Sequence, residues 1–504
     1  MRAHSDATGV APSVASRACT RPTPRLEITL RIIRLGFLWI LGLVILAAVA
    51  VVLVNAFDEP LKEETRALRF PPAMAAVPAE QNLYLALLGQ EAPHGESPID
   101  FGQTRVDLYE AKLPALLEDP TISIVPPERN DAPTLTFRGE VNFLPPSSQA
   151  SIWISVEDHL DELAQVLAAN RELFDRYRAL HALTGYQEIA TPSPYQPFGY
   201  PSSRVRKLYL GWIAQRLKSG NVSEQKAALD DLAADLTTWR IMSFGTGSLV
   251  PKTLAFVYIQ ADTLLLADML ADRSIKIEPL VPQLDRITTP AELVDWRLGD
   301  ALPGEFRMFQ TAVDHADSHP LRTLDALKRF NSIDESKPFE YHALFWEPVL
   351  RYFYKKNATD NLRAEDALKG IAFASLKPSD FLAARDEYSK WREQHMNFLN
   401  FRILDNPMGK LLLSEMTFSA EVYGLRGYEV AATQRLLRLT YEIRRQRIPL
   451  NQIPNFIAAH PEWASHPVSG KPYTFNPDTN SISFTPVSGG VKSWRFSAPV
   501  WSGA

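Results

Sequence analysis

The longest uninterrupted apolar run in the chain covers residues 36–54 and contains no charged residue. As an α-helix this run would be roughly 28 Å long, close to the hydrocarbon thickness of a bilayer, about 30 Å. The pattern predicts a transmembrane helix over residues 35–57. An arm of residues 1–34, without apolar periodicity and rich in small residues, Pro and Arg, precedes this helix and is predicted to be disordered.

After residue 155, apolar residues recur at steps of three and four, as in amphipathic helices. The first such run contains Leu160, Leu163, Leu167, Leu173 and Tyr177. The pattern predicts a helical domain over residues 155–460. Its helices are expected at 203–218, 223–242, 254–272, from 289 onward, 338–355, 362–373, 379–398, 407–447 and 451–459.

The clearest predicted helix start is Thr289-Pro-Ala-Glu292, with a capping residue, Pro at the first helical position and Glu three residues after the cap. Paired helices with short Gly and Asn turns between residues 203 and 272 suit a helical hairpin stack. No fixed-period repeat is sustained, so a compact irregular helical domain is favoured over a tetratricopeptide-like solenoid.

Two other segments break the helical pattern. Residues 58–154 are predicted to form a connector with a short helix at 78–89 and strands at 121–125 and 134–137. Residues 461–504 are predicted to form a C-terminal β-hairpin and tail, with strands at 473–475 and 481–484. The predicted fold is therefore mainly α, with an N-terminal transmembrane helix, a multi-helix domain and a small C-terminal β-hairpin.

Charge gives this arrangement a direction. The arm carries six arginines and two acidic residues, a net charge of +4, whereas the whole chain has a net charge of −5. Acidic residues follow the apolar run at Asp58, Glu59, Glu63 and Glu64. By the positive-inside rule the N-terminus stays in the cytoplasm and the rest is exported, which predicts an inner-membrane protein with a periplasmic domain. A cleaved secretory signal is the alternative, since Val54 and Ala56 could serve a signal peptidase.

Composition narrows the classes of function. The part after the anchor is mildly acidic and offers no basic face for nucleic acid. The single cysteine, Cys19, lies in the arm, so the exported part has no disulfide and no thiolate for zinc or catalysis.

The C-terminal segment carries a resemblance to a known group of proteins. The segment joins Ile453-Pro-Asn-Phe456 to a hairpin that begins His466-Pro-Val-Ser-Gly-Lys-Pro-Tyr473. It resembles the Gly-Lys-Pro-x-x-Tyr-type hairpin that ends many exported or membrane-anchored helical bacterial proteins without an assigned activity, and the end of pseudopilin globular domains. In that pattern an Asp stands where this chain has His466, which puts the turn-capping role of the Asp in doubt here. The resemblance transfers no catalytic residue.

Several sequence motifs suggest chemistry that their context does not support. His315 and His319 could share a metal with Asp314 and Asp317, but Pro320 would force His319 out of the helix. Ser223-Glu-Gln-Lys226 matches one part of a penicillin-interacting site without the other two, so Ser223 is expected to cap a helix. The glycines of segment 244–252 are expected to form an interhelical turn rather than a phosphate loop. The carboxylates Glu157, Asp158, Asp161 and Glu162 are expected to lie on a helix surface.

Aromatic residues offer a different kind of site. The proline-stiffened loop 185–201 carries Tyr186, Tyr195, Phe198 and Tyr200, whose rings could stack on a glycan or on a partner's extended peptide. The alternative is that the loop folds back and buries these rings. A second concentration, Tyr341, Phe345, Trp346, Tyr352, Phe353 and Tyr354, is expected to belong to the core.

The sequence thus favours a non-enzymatic envelope scaffold or interaction protein held in the lipid bilayer, with another envelope protein as partner. No catalytic set, cofactor site or metal site is predicted, and no nucleic acid is expected as a partner. The alternative is an envelope hydrolase that uses carboxylates on cell-wall or glycan material.

Overall fold

The fold is that of a computed structural model of the 504-residue chain. The residues that it describes are 24–72, 75–118, 122, 132–145, 151–199, 203–245, 247–292, 296, 298–331, 347–396, 404–416, 420–487 and 496–500. The chain separates into two compact units, one ending at Phe57 and the other beginning at Asp58.

The first unit contains helix α1, Pro24–Asn55. Its segment Ile32–Asn55 has a mean hydropathy of 3.1 and is exposed over the most apolar window, so it is long and apolar enough to span a bilayer. A second helix of similar character, Leu249–Ala271, lies in the other unit, and 83% of its most apolar window is buried. Burial on this scale identifies the second helix as a core helix.

The second unit begins with six α-helices. They are α2 (Glu63–Arg69), α3 (Leu83–Leu88), α4 (Pro98–Glu118), α5 (Ile152–Ser155), α6 (Leu160–Ala169) and α7 (Arg171–Ala179). Of these, α2 to α5 start within the predicted connector 58–154, and α6 and α7 start within the predicted helical domain 155–460. The predicted short helix at 78–89 is confirmed, and Asn82 caps α3 by accepting a hydrogen bond from the Tyr84 N–H at 3.1 Å.

Long helices then build the core. They are α8 (Ser203–Lys218), α9 (Val222–Phe244), α10 (Leu249–Ala271) and α11 (Val281–Thr288). The next group is α12 (Leu302–Met308), α13 (Gln310–Ala316), α14 (Pro320–Asn331), α15 (Glu347–Tyr352), α16 (Lys356–Ala374), α17 (Pro378–Met396) and α18 (Pro407–Met416). The last two helices are α19 (Ala420–Arg445) and α20 (Ile453–Ala459).

Helix α10 lies at the centre of this core because apolar side chains surround it on most sides. It packs against α9 on one side and α19 on another, and α8 packs against α9. Ile259, Leu266 and Trp239 are fully buried in the main hydrophobic cluster. A smaller cluster forms where α13, α14, α15 and α18 meet, and another where α16, α17 and α19 meet.

The C-terminal segment forms a small antiparallel sheet of β1 (Thr474–Asn476), β2 (Ser481–Ser483) and β3 (Ser497–Pro499). Phe475 pairs with Ile482, and Ile482 pairs with Ala498. The predicted mainly α fold and its C-terminal β-hairpin are confirmed, and β3 adds a strand that the sequence pattern did not indicate.

Two predicted helix boundaries are wrong, and at each of them a polar side chain bonds to backbone outside the predicted helix. Thr289 starts no helix over residues 289–292, because its hydroxyl donates back to the Asp285 carbonyl of α11 at 2.7 Å. The run that starts at 155 breaks between α6 and α7 at Asn170. The Asn170 side chain accepts from the Arg138 N–H and donates to the Arg138 carbonyl, each at 2.7 Å.

Other predicted elements differ or fall elsewhere. Residues 134–137 are not a strand, although the Leu135 N–H donates to the Glu91 carbonyl at 3.0 Å. Apart from Ile122, the predicted strand 121–125 lies outside the described residues, as does the first half of the predicted helix 338–355, residues 338–346; the second half contains α15. The predicted helix 407–447 consists of α18 and α19, with residues 417–419 between them outside the described part.

Candidate functional site

The aromatic loop is fixed to the body at its start. The Leu83 N–H donates to the Gly185 carbonyl at 2.8 Å, and the Asn82 side chain bonds to both backbone groups of Gln187. Asn82 thus caps α3 and holds the loop against it, which explains why an asparagine is buried there.

The structure separates the four rings singled out from the sequence. Tyr186 is 4% exposed and meets Tyr84 edge to face, with ring centroids 6.1 Å apart. Tyr195 and Phe198 are half-buried and pack against hydrophobic clusters, and Tyr200 lies outside the described residues. The ring of Tyr186 therefore belongs to the core and is not a stacking surface, which corrects the sequence-based expectation for that residue.

The same loop positions a half-buried carboxylate, Glu188. Its two oxygens accept hydrogen bonds from Gln196 Nε2 at 2.9 Å, the Ser248 N–H at 3.0 Å, the Ser248 hydroxyl at 3.2 Å and the Tyr186 hydroxyl at 3.1 Å. Burial raises the pKa of Glu188 above its ordinary value, although these donors act in the opposite direction. A Cβ at Gly247 would lie 2.7 Å from Glu188 Cδ, so the turn between α9 and α10 needs glycine there.

A second carboxylate, Glu305 of α12, is buried and lies close enough to interact with Glu188. It accepts a hydrogen bond from the Leu249 N–H, at the start of α10, at 2.5 Å. Burial raises the pKa of Glu305 to about 7, the Leu249 N–H opposes the rise, and the charge of Glu188 adds to it. These two acids, which we call the acidic centre, join the loop, the α9–α10 turn and α12.

A buried ion-pair network crosses α8, α9 and α10. Arg206 Nη2 lies 2.5 Å from Asp262 Oδ1 and 3.7 Å from Asp235 Oδ2, and the guanidinium carbon is 4.4 Å from the Tyr258 ring centroid. Burial would raise both acids' pKa values. Asp235 nevertheless has a lowered pKa because Arg206, His181 and Trp239 stabilise its charge, whereas the pKa of Asp262 is raised well above its ordinary value.

The pKa values of the two acids differ because of the groups around each carboxylate, and not because of their distances from Arg206. Asp235 accepts hydrogen bonds from the Tyr177 hydroxyl at 2.8 Å and Trp239 Nε1 at 2.9 Å, and His181 Nε2 lies 3.0 Å away. Asp262 is nearer to Arg206 but faces the charge of Asp235. One arginine therefore lies between two buried carboxylates, and the network is suited to fixing the register of three helices.

The His315–His319 segment is organised by local bonds. Pro320 begins α14 and His319 lies outside the preceding helix, as expected, although the two imidazole centroids are only 5.1 Å apart. His315 Nδ1 lies 2.9 Å from the Thr323 hydroxyl, while Asp314 pairs with Arg69 at 2.6 Å and Lys356 at 2.7 Å. Among the described residues, no group of three or more His, Cys, Asp or Glu side chains could hold a metal ion.

The other candidates occupy ordinary structural positions. Ser223 is not the cap of α9; Asn221 is, since its side chain accepts from the Ser223 N–H at 2.9 Å. Glu157, Asp158, Asp161 and Glu162 are exposed, and Glu157 pairs with Lys218 at 2.9 Å. The described residues of segment 244–252 form the turn between α9 and α10 and the start of α10.

A groove between α16 and α17 was not anticipated from the sequence. It has a volume of about 300 Å³. Its lining residues repeat the same three-, four- and seven-residue spacing on both helices: Lys369, Ala372, Phe373 and Leu376, with Ala384, Glu387, Tyr388 and Trp391. The two alanines leave space where larger side chains would meet. The helical spacing could have indicated a shared face, but only the packing of α16 on α17 leaves it open.

The floor of this groove, which we call the α16–α17 groove, is aromatic. Tyr388 stacks on Phe373 with centroids 5.3 Å apart, and the Trp391 ring is within 5° of parallel to Tyr388. Lys369 Nζ lies 5.0 Å from the Trp391 ring centroid. The groove has apolar walls, with the cation Lys369 and the anion Glu387 among its lining residues, and can therefore bind an apolar group flanked by polar groups. No protein-family model, curated protein or solved structure matches this chain.

Proposed function

We propose that this chain is a single-pass inner-membrane protein of a Gram-negative-type cell, with its N-terminus in the cytoplasm and a helical periplasmic part that acts as an envelope scaffold or interaction protein. The observation that carries the proposal is the contrast between the two long apolar helices. Segment Ile32–Asn55 exposes its apolar side chains, whereas Leu249–Ala271 buries them. An exposed helix of this composition is favourable in lipid and unfavourable in water.

Charge supports the orientation. Arginines precede the span, while Asp58, Glu59, Glu63 and Glu64 follow it and are exposed. The resemblance of the hairpin after His466 to exported bacterial proteins agrees with this orientation and stays a prediction.

Cleavage as a secretory signal is the competing fate of the first segment. The intact mass of the protein purified from membranes distinguishes the two. A mass that includes residues 36–54 supports an anchor, and a chain that begins near residue 57 would overturn it.

The burial and hydrogen bonding of the carboxylates favour an interaction role over hydrolysis. A glycosidase needs two carboxyl groups that flank an accessible substrate. Glu188 is half-buried with four donors around it, Glu305 is buried against α10, and Glu157 and its neighbours are exposed. These arrangements suit structural roles.

The α16–α17 groove is the proposed contact for the partner. Its volume fits two or three apolar side chains, and the opposite charges of Lys369 and Glu387 suit polar groups beside such an anchor. We commit to an exposed apolar segment of another envelope protein as its occupant.

The test is a pull-down of the full-length protein from detergent-solubilised native membranes, followed by mass spectrometry. Ala372→Arg fills the groove from an exposed position, and Ala458→Arg on α20 is the matched control. A partner recovered with the parent and the control but lost with Ala372→Arg is expected. A Tyr195→Ala, Phe198→Ala variant tests the loop in the same experiment. Equal recovery from parent and Ala372→Arg would remove the groove from the proposal.

A further inference from the structure

Four of the exposed apolar side chains in the second unit belong to segments that lie next to the start of α16 in space or in sequence. Phe70 is 66% exposed, Val349 45%, Tyr352 42% and Leu404 54%. They come from three separate parts of the chain: ion pairs bring the Phe70 and Leu404 parts to the start of α16, and the Tyr352 part directly precedes that helix in the sequence. We call these four residues the membrane-proximal patch.

Asp58 fixes the start of the unit to α16. Its carboxylate accepts hydrogen bonds from the Asn357 N–H at 2.7 Å and the Ala358 N–H at 3.0 Å, at the N-terminus of that helix. Asn361, one turn on, accepts from the Lys62 N–H at 3.0 Å and donates to Glu59 Oε1 at 2.6 Å. The chain that leaves α1 is therefore held to α16 from its first residue onward.

The patch residues are tied to the same turns. Phe70 follows Arg69, which pairs with Asp360 at 2.9 Å. Leu404 precedes Asp405, which pairs with Lys355 at 2.7 Å. Tyr352 ends α15, and only three residues separate it from the start of α16.

Helix α15 presents its apolar residues on two sides. Leu350 and Phe353 pack against the cluster that α13, α14 and α18 form, and the Leu321 N–H donates to Glu347 at 3.1 Å. Val349 and Tyr352, also three residues apart, are exposed instead. This corrects the expectation that Tyr352 belongs to the core, whereas Tyr354 is buried as expected.

The occupant that fits this patch is the bilayer surface. Two residues separate Asn55, the end of α1, from Asp58, which limits the distance between them to about 11 Å. We propose that the membrane-proximal patch rests in the lipid headgroup region beside the exit of the anchor. Aromatic and aliphatic side chains at that depth are stabilised by partial burial, and Tyr is enriched there.

Charge around the patch separates this proposal from binding to anionic lipid. Exposed Lys62, Arg66 and Arg351 are opposed by Asp58, Glu59, Glu63 and Glu64, so the surface is not basic. Contact should therefore occur on zwitterionic phosphatidylcholine and persist at high salt.

The inference rests on the proposed membrane anchor, and the experiment tests the two separately. The full-length chain carrying Cys19→Ser receives one cysteine at a time, at Leu46, Phe70, Val349, Phe244 or Ile154, with an environment-sensitive fluorophore attached. Phe244 and Ile154 are matched controls, because they are exposed apolar residues of the same unit outside the patch. Each protein is placed in phosphatidylcholine nanodiscs with nitroxide on the acyl chain or on the headgroup.

Leu46 should be quenched by acyl-chain nitroxide; no quenching there would overturn the membrane anchor. Phe70 and Val349 should lose about half of their fluorescence to headgroup nitroxide, as expected for groups within 5–10 Å of that boundary, while both controls lose little. Quenching at Leu46 together with patch signals equal to the controls would overturn the docking and leave the anchor standing. Circular dichroism of each variant confirms that the labelled protein is folded.

Discussion

Single buried ionisable residues determine how the stability of this protein responds to pH. Glu305 and His466 are both almost fully buried, but burial acts on an acid and on a base in opposite directions. Burial disfavours the charged form of each side chain in the folded state. The two residues are therefore expected to destabilise the protein at opposite ends of the pH range.

Glu305→Gln is expected to stabilise the protein at alkaline pH. The folded-state pKa is raised to about 7, so the folded protein holds a proton that the unfolded chain releases, and the free energy of unfolding falls as pH rises from the ordinary Glu value to about 7. Glutamine keeps an acceptor for the Leu249 N–H and carries no charge. Urea unfolding at pH 8 should show a gain of up to about 3 kcal/mol relative to pH 5.

Exposed Glu157→Gln serves as the control for this measurement. If Glu305→Gln changes stability by the same amount at pH 5 and pH 8, the raised pKa is wrong.

His466 should have the opposite effect. Burial, and to a lesser extent the charge of nearby Arg435, lowers the pKa of His466 to about 4 in the folded protein. Between about pH 6.5, the ordinary pKa of histidine, and about pH 4, the unfolded chain therefore binds a proton at His466 that the folded protein does not bind. Stability is expected to fall as pH falls from about 6.5 to about 4, by up to about 3 kcal/mol. His466→Asn should remove this slope in chemical denaturation measured between pH 4 and pH 7.

The same substitution tests the turn. His466 Nδ1 accepts hydrogen bonds from the Val468 N–H at 3.2 Å and the Ser469 N–H at 3.3 Å, which is the capping role doubted from the sequence. Asparagine can accept the same bonds. His460→Asn, at a partly exposed histidine, is the control; an unchanged pH slope in His466→Asn would contradict the assignment.

At the scale of elements, hydrogen bonds from side chains to backbone lie at the two boundaries that the sequence mispredicted. Residues 203–218 were predicted exactly, because their apolar periodicity ends at a Gly-Asn turn. Thr289 and Asn170 were misjudged, because the bonds that use their side chains join them to Asp285 and Arg138. A capping pattern is read from residues that are adjacent in the sequence, whereas the competing bond of Asn170 reaches Arg138, 32 residues away.

The cap of α9 gives a direct test at this scale. Asn221→Ala should cost about 1 kcal/mol of stability, because the N–H groups of Ser223 and Glu224 lose their acceptor. Ser223→Ala should change stability by less than about 0.5 kcal/mol, as an exposed helical position outside a cap. Thermal unfolding of the two variants measures both values; a larger loss for Ser223→Ala would restore the sequence-based assignment.

The whole molecule raises the question of how many helices span the membrane. Helices α1 and α10 both have the length and composition to do so, and only α10 is buried. Its polar residues Asp262 and Asp268 face partners within the unit rather than lipid. The compact unit that begins at Asp58 therefore includes α10 as its central helix.

Both ends of α10 are accordingly expected on the same side of the membrane. In cells with a permeabilised outer membrane, a membrane-impermeant maleimide should label Val250→Cys and Lys276→Cys, and should not label native Cys19. Val250 is an exposed residue in the first turn of α10, and Lys276 is an exposed residue five positions after its last residue. Labelling of only one of the two introduced cysteines would indicate a second span, and labelling of Cys19 would reverse the proposed orientation.

The sequence by itself determined the helical class, most helix positions and the apolar segment 36–54, because periodicity and hydropathy are local properties. It also indicated the hairpin from its turn residues. The tertiary structure alone decided that Tyr186 is core, that Glu188 and Glu305 form one acidic centre, and that the α16–α17 groove remains open. Those features join residues far apart in the chain, and their burial and charge depend on which helices pack together.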